Sequence, residues 1–409
     1  MSLETGHQVR KTSRRMADGR EIIYYDDTPP FPKREAVDVR PLPPVAGAST
    51  EMRYDPLTGE WVSLAVHRND RTLMPPPDQD PLAPTSPGGF PTEIAEASYD
   101  VVVFENRFPS FSPRAVGPAG AVGPAGAVGP AGPAAGDPSR QPEQAPPDGA
   151  SPRWAGGSGG LVDGDPLWPV RPAFGRTEVV CFSSAGEGSF GSLSVSRART
   201  VIEAWADRTA VLGAIDGIEH VFIFENRGRE IGVTLPHPHG QIYAFPFVPP
   251  KVARMLEMAE RHRAKTGGNL FRDILDAERR AGTRVVASSE HWTAYVPAAA
   301  RWPVEVHLAP HRDVADLTGL SGAERDDLAR LYLNVLGRLD RFYEGPEPLP
   351  YISGVYQSGR DIFRLHLQVF SVLRGPGKLK YLAGVESGVA SWVSDTTPER
   401  IAARLREVA

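Results

Sequence analysis

With 409 residues, 41% of them hydrophobic, and a formal net charge of −5 at pH 7, the chain is long enough for two cores. It is too acidic overall to be a general nucleic-acid or membrane-surface binder, so an anionic ligand must be held by a few placed cations. No apolar run reaches bilayer-spanning length and the N-terminal stretch has no apolar signal segment, so a cytoplasmic protein is expected.

Residues 1–40 read as an N-terminal arm. Val101-Val-Val-Phe-Glu-Asn-Arg-Phe108 is an apolar strand ending where asparagine favours a turn. From 113 to 172 the chain is rich in proline, glycine and alanine, with AVGPAG three times in succession; it reads as a disordered insertion in a surface loop. Cys181, in TEVVCFSS, is the chain's one cysteine; it excludes an intrachain disulfide or a CxxC site and reads as a buried core thiol. Ser196 to Ile215 carries apolar residues at helical spacing. Val221-Phe-Ile-Phe-Glu-Asn-Arg-Gly228 then repeats the earlier strand with its Phe-Glu-Asn-Arg end, and two strand ends facing one site are expected. Helices follow over 251–265 and 322–343, with strands at 283–290, 291–297, 304–310 and 363–370. The order predicts an α+β fold built on antiparallel sheets.

Two motifs between these elements could carry chemistry. Gly186-Glu-Gly-Ser-Phe-Gly191 matches the spacing of a dinucleotide loop, but such a loop opens directly into a helix, and here the helical pattern waits until Ser196. A plain loop is the better reading. In Leu235-Pro-His-Pro-His-Gly-Gln241 the two prolines forbid a helix. In an extended chain, residues two apart share a side, so His237, His239 and Gln241 form a polar row aimed at one ligand. Hydrogen-bonded histidines at a sheet edge, a metal pair and an imidazole nucleophile all remain open for that row.

LPHPHGQIYA, with VFIFENRG just upstream, resembles the galactose-1-phosphate uridylyltransferase family, the transferase branch of the histidine-triad superfamily. RYDPLTGEWVSLAVHRNDR at 53–71, SYDVVVFENRFPSF at 98–111 and TRVVASSEHWTAYVPAAARWPVEVHLAP at 283–310 extend the likeness over most of the chain outside the insertion and the first forty residues. The resemblance implies a duplicated histidine-triad-like fold in two antiparallel sheet halves with packed helices. The first half would be 41–112 with 173–265, and the second 266–409. It implies a ping-pong exchange in which His239 attacks the α-phosphorus of a UDP-sugar and the resulting uridylyl-histidine passes its group to a sugar 1-phosphate. His237 would orient the nucleophile through its backbone carbonyl. Gln241 and Asn226 would bind phosphoryl oxygens, with Gly232, Val233 and Thr234 lining the pocket. Arg68 and Arg71 would hold phosphate, and Asn106 would contact the nucleotide. Lys380, Tyr381 and Glu386 would reach the sugar of a partner subunit in a homodimer.

The chain departs from that family at its metal positions. Where a CxxC pair, a histidine and the first histidine of HPH hold zinc, it has Asp80 to Ala83, Gly186 and His237. At the iron-type site Met255, Tyr356 and Gln368 stand where a glutamate and two histidines are expected, leaving His366. No metal cofactor is therefore expected. Val385 and Trp392 replace a tyrosine and a glutamine of the sugar-contact segment. Those changes keep three alternatives open: a nucleotidyltransferase for another sugar 1-phosphate, with UTP as a possible donor; a nucleotide-sugar phosphorylase or hydrolase; and a non-catalytic nucleotide binder.

Overall fold

The computed structural model describes residues 7–44, 50–70, 74–86, 88–115 and 160–409. Most strands join one antiparallel sheet. Its first half holds β1 (Arg10–Arg15), β2 (Glu21–Asp26), β5 (Val101–Glu105), β8 (Arg176–Cys181), β9 (His220–Arg227) and β10 (His239–Phe245). Its second half holds β11 (Val285–Ser288), β12 (Trp292–Tyr295), β13 (Val304–Pro310), β14 (Tyr351–Tyr356) and β15 (His366–Ser371). Among the described residues these form eleven strands in the order β1-β2-β5-β8-β10-β9-β14-β15-β13-β12-β11. The smaller second sheet is built from β3 (Glu51–Asp55), β4 (Glu60–Leu64), β6 (Gly160–Leu161) and β7 (Pro169–Pro172).

The order reveals a duplication. Strands β5, β8, β9 and β10, with helix α1 (Val195–Gly213) between β8 and β9, lie side by side as β5-β8-β10-β9. Strands β12, β13, β14 and β15, with the helix at Gly322–Asp340 between β13 and β14, lie as β12-β13-β15-β14. Each of these two helices is 19 residues long. Each has a serine cap, Ser194 or Ser321, accepting the N–H three residues on. The two halves meet where β9 pairs with β14, Asn226 facing Ile352.

Both long helices cover one face of the sheet. That face is apolar because alternate strand residues point to it: Ile223 on β9, Ile242 and Ala244 on β10, Val306 and Leu308 on β13, Leu367 and Val369 on β15. They bury against Val201, Ile202 and Trp205 of α1 and Leu328, Tyr332 and Val335 of the second-half helix. β8 is buried at all six positions because it is covered on both sides. The opposite face carries the polar alternation of β10, where His239 and Gln241 are half-buried between buried Gly240 and Ile242.

Three boundaries and one expected meeting of strand ends differ from expectation. The N-terminal arm is partly sheet: β1 and β2 form a hairpin whose Ile22, Ile23, Tyr24 and Tyr25 are buried, and β2 pairs with β5. The expected insertion is shorter at its C-terminal end, since Arg171 and Val170 of β7 pair with Met52 and Arg53 of β3; residues 116–159 lie outside the described part. Helix α2 (Pro250–Thr266), expected with the first half, packs Val252, Leu256 and Ala259 on Tyr356, Ile362 and Phe363 of the second. The two Phe-Glu-Asn-Arg ends do not converge. β5 and β9 run in opposite directions across β8 and β10, so Asn106 and Asn226 leave the sheet at opposite ends of one face. Gly186–Gly191 is a loop beside an antiparallel sheet, without the parallel sheet of a dinucleotide fold.

No helix among the described residues is long and apolar enough to cross a membrane. Cys181 is a buried free thiol, and burial pushes its ionisation well above the ordinary thiol range.

Candidate active site

The loop between β9 and β10 turns at Gly232, whose φ of +82° suits glycine. It returns through Leu235-Pro-His-Pro and enters β10 at His239. Gly240 permits this packing: a Cβ there would come 3.0 Å from the Phe182 ring and 3.0 Å from the Phe224 carbonyl oxygen.

The two histidines have different surroundings. His237 is buried, 1% exposed. Its Nδ1 lies 2.7 Å from Asp80 Oδ2 and its Nε2 lies 2.9 Å from the Ser183 carbonyl oxygen. The Tyr99 hydroxyl lies 2.8 Å from the same Nε2 while donating to the Leu82 carbonyl at 3.0 Å. With hydrogen-bond partners at both nitrogens, the His237 ring is a structural pin.

His239 is held at one nitrogen only. Its Nδ1 donates to the His237 carbonyl at 2.7 Å, which fixes the tautomer, and its Nε2 makes no hydrogen bond to a described residue. Burial pulls the imidazole below its ordinary pKa, outweighing the backbone carbonyl that would raise it, so the ring is neutral at pH 7 with a free lone pair at Nε2.

Gln241 sits two residues along the same face, opposite Phe224 on β9 and Val179 on β8. Asn226 lies two residues beyond Phe224, which brings it level with His239. Neither amide is hydrogen-bonded to another described residue. Gly232, Val233 and Thr234 belong to the loop at that end, where the Thr234 carbonyl accepts the Met74 N–H at 2.7 Å. Strand register thus puts Gln241 and Asn226 beside His239 on one face of the sheet.

Asn106 and Arg68 form a second group. The Asn106 N–H donates to the Thr177 carbonyl, and Thr177 pairs with Tyr243, four residues from His239 on β10. The offset along the sheet is roughly 13 Å. Arg68 donates to the Phe108 carbonyl at 3.0 Å on the turn that Asn106 caps by accepting the Phe108 N–H at 2.8 Å. Arg71 lies outside the described residues. In the C-terminal segment Lys380 donates to Glu386 at 3.0 Å, and the pair is buried within this chain, while Tyr381 is 73% exposed. Asp80, Tyr99 and Ser183 are the members that sequence reasoning left without a role here. Their only signal was that a buried histidine needs partners.

The zinc-type positions do converge: a Cβ on Gly186 would lie 3.8 Å from both Asp80 Oδ2 and His237 Nδ1. The donor set does not fit a zinc ion, because Asp80 and His237 supply two of the four ligands such a site needs and Ala83 and Gly186 supply none. Among the described residues no group of three or more His, Cys, Asp or Glu is placed to hold an ion.

Two family models match the chain: the galactose-1-phosphate uridyl transferase N-terminal domain over residues 157–249 and the C-terminal domain over 255–409. The galactose-1-phosphate uridylyltransferase of Streptomyces lividans is 41% identical over 98% of each chain. That of Thermotoga maritima is 30% identical over 87% of this chain and 98% of its own. A solved uridylyltransferase structure, 28% identical, superposes with a TM-score of 0.67 over 88% of this chain and 98% of that one. With its fold, its HPHGQ strand and its relatives in agreement, the chain is a member of the galactose-1-phosphate uridylyltransferase family.

Proposed function

We propose that this enzyme moves a uridylyl group from a UDP-sugar to a sugar 1-phosphate, with galactose 1-phosphate as the acceptor, by two displacements at His239. The observation that carries the reading is the His239 ring itself, its Nδ1 proton fixed on the His237 carbonyl and its Nε2 open to the sheet face. In the first displacement Nε2 forms a bond to the α-phosphorus and the bond to the β-phosphate oxygen breaks, releasing a sugar 1-phosphate. The ring keeps its Nδ1 proton, and the positive charge it gains is stabilised by the His237 carbonyl. In the second, a phosphate oxygen of the incoming sugar 1-phosphate attacks phosphorus and Nε2 leaves. No proton is transferred, so positioning and charge stabilisation supply the catalysis. The Gln241 and Asn226 amides donate to the phosphoryl oxygens, with the Gly232–Thr234 loop closing that end. Arg68, Arg71 and Asn106 serve the nucleotide end.

We infer further that turnover needs no metal, since the Asp80–His237 pair does the pinning that a zinc ion would otherwise do. The enzyme acts in the cytoplasm as a homodimer. Tyr381, Leu382, Val385, Val389 and Val393 are all exposed on the C-terminal segment, an apolar stripe that a second copy would cover while bringing Tyr381 toward its neighbour's sugar; Lys380 and Glu386, paired within this chain, would hold that segment in shape. Val385, exposed where the family's sugar-contact segment has a tyrosine, favours a second reading in which a different sugar 1-phosphate is the preferred acceptor.

The test is covalent. Protein incubated with UDP-glucose, UDP-galactose or UTP labelled in the α-phosphate should retain acid-labile, alkali-stable label. Galactose 1-phosphate should discharge it as UDP-galactose, and His239→Ala should retain none. Label that survives His239→Ala ends the reading. Discharge by water or phosphate alone turns it into a hydrolase or phosphorylase.

A further inference from the structure

The second half repeats the geometry of the His239 strand around another centre. β15 begins at His366, 127 positions after His239, the same offset that separates the starts of the two long helices (195 to 322). His366 Nδ1 donates to the Arg364 carbonyl two residues back at 3.0 Å, as His239 does to His237. A glutamine follows two residues on in each strand, Gln241 and Gln368.

This is the position of the iron-type site, and its donors do not suit a metal: Met255, Tyr356 and Gln368 offer a thioether, a phenol and an amide. A side-chain cation stands there instead. Lys251 Nζ donates to the Tyr356 hydroxyl at 2.8 Å and to Gln368 Oε1 at 2.7 Å, and the Gln368 amide donates to His366 Nε2 at 3.0 Å. The chain of donors runs in one direction from the ammonium to the Arg364 carbonyl.

These groups open on a cavity of about 890 Å³, which Arg301 also lines. Its acidic groups are already engaged. Glu305 accepts from His307 at 2.9 Å and from the Arg301 backbone N–H at 2.7 Å, and Asp313 pairs with Arg272 and Arg364. Neither Lys251 nor the Arg301 guanidinium forms an ion pair with a described residue. The guanidinium lies 5.6 Å over the Trp392 ring. Trp302, 4.9 Å from Trp392 and stacked on Phe370 at 4.6 Å, completes an aromatic wall. Two cations without a direct ion pair, beside two indole rings inclined at 60° to one another, match one ligand chemistry, a phosphate ester carried on a ring.

We propose that this cavity is a second, non-catalytic site for a small organic phosphate, its phosphate held by Lys251 and Arg301 and its ring packed in the angle between Trp302 and Trp392. Sugar phosphates and nucleotides share that chemistry. Isothermal titration of the full chain with galactose 1-phosphate, UMP and inorganic phosphate separates them. Wild type should take up two equivalents of at least one organic phosphate per chain. Lys251→Met/Arg301→Gln should take up one, the lost site being weakened roughly tenfold or more, while covalent labelling at His239 stays at the wild-type level. Trp392→Ala, which leaves both cations in place, should weaken the organic phosphates more than inorganic phosphate. A single equivalent in wild type with every probe overturns the proposal, and so does a second equivalent that survives the double substitution. Labelling at His239 is read separately, so failure of the second site and failure of the transfer reaction remain distinguishable.

Discussion

Asp80 Oδ2 lies 2.7 Å from His237 Nδ1, across 157 residues of sequence, and ties the loop after residue 74 to the strand that carries His239. Both side chains are buried, so the pair is strong only while both partners are present. Asp80→Ala should lower unfolding free energy by about 3 kcal/mol and slow uridylylation, because the carbonyl that orients His239 belongs to His237. Asp80→Asn, which can still accept the Nδ1 proton, should recover part of both losses. Urea unfolding and single-turnover labelling measure them. Full stability in Asp80→Ala would mean that the pair is incidental.

The same site predicts a gain of function. Asp80, Ala83, Gly186 and His237 stand at the zinc-type positions, and Gly186 has room toward His237. Asp80→Cys/Ala83→Cys/Gly186→His should take up about one zinc per chain with tetrahedral coordination and make stability sensitive to chelator. The parent protein should show neither, by elemental analysis and by melting with EDTA. A triple variant that binds no zinc would mean the four positions do not form a tetrahedron.

Burial lowers the pKa of His239 from its ordinary 6.5, and attack requires the neutral ring. The rate of uridylylation should therefore stay level as pH falls through the usual histidine range and decline only below it. Quenched-flow labelling between pH 5 and 8 gives the profile. A midpoint at or above 6.5 would place His239 in water rather than under the sheet face.

How far the site was legible depended on distance along the chain. The HPHGQ row could be read directly, since two prolines enforce an extended backbone and period-two alternation puts His239 and Gln241 on one face. The α+β order was legible for the same reason, with helical spacing over 196–215 and alternation over 363–370. Partners fixed by tertiary packing were not: nothing local in Tyr99 or Ser183 says that they meet His237. β7 was hidden by its own prolines, Pro169 and Pro172, which read as loop but are tolerated at the ends of a short strand. The Phe-Glu-Asn-Arg repeat misled because strand direction, which decides which ends meet, is set by sheet order.

The second copy of that repeat carries a titration of its own. Glu225 is buried against the helix side of the sheet, where it accepts the Tyr351 hydroxyl at 2.9 Å. Burial pushes it up to about 7, with Asp340 adding to the rise and Arg227 opposing it. Because the folded pKa lies above the ordinary 4.5, the protonated form favours folding. Its stabilising contribution is present at acid pH and is lost as pH rises through 7. Glu225→Gln keeps an acceptor for Tyr351 and removes the charge. It should stabilise the protein by roughly 1–3 kcal/mol at pH 8 and have little effect at pH 5. Denaturation at the two pH values decides it: an equal effect at both would mean that Glu225 stays ionised throughout.

Acceptor choice should rest on Val385 more than on Trp392, because the structure separates them. Val385 is 49% exposed on the short helix Gly384–Val389, within the apolar stripe that a second copy is proposed to cover. Trp392 is turned into its own chain's cavity against Trp302. Val385→Tyr would offer a hydroxyl to the sugar in the neighbouring site. A hydrogen bond of that kind is worth about 1 kcal/mol, so kcat/KM for hexose 1-phosphates should rise roughly fivefold with no change in UDP affinity. Trp392→Gln should leave acceptor preference nearly unchanged while lowering stability through the lost aromatic contact. Second-order rate constants for galactose 1-phosphate, glucose 1-phosphate and a pentose 1-phosphate, measured on both single variants, make the comparison. If Trp392→Gln is the variant that shifts acceptor preference, its ring reaches the sugar, and the cavity must open to the transfer site in the assembled enzyme.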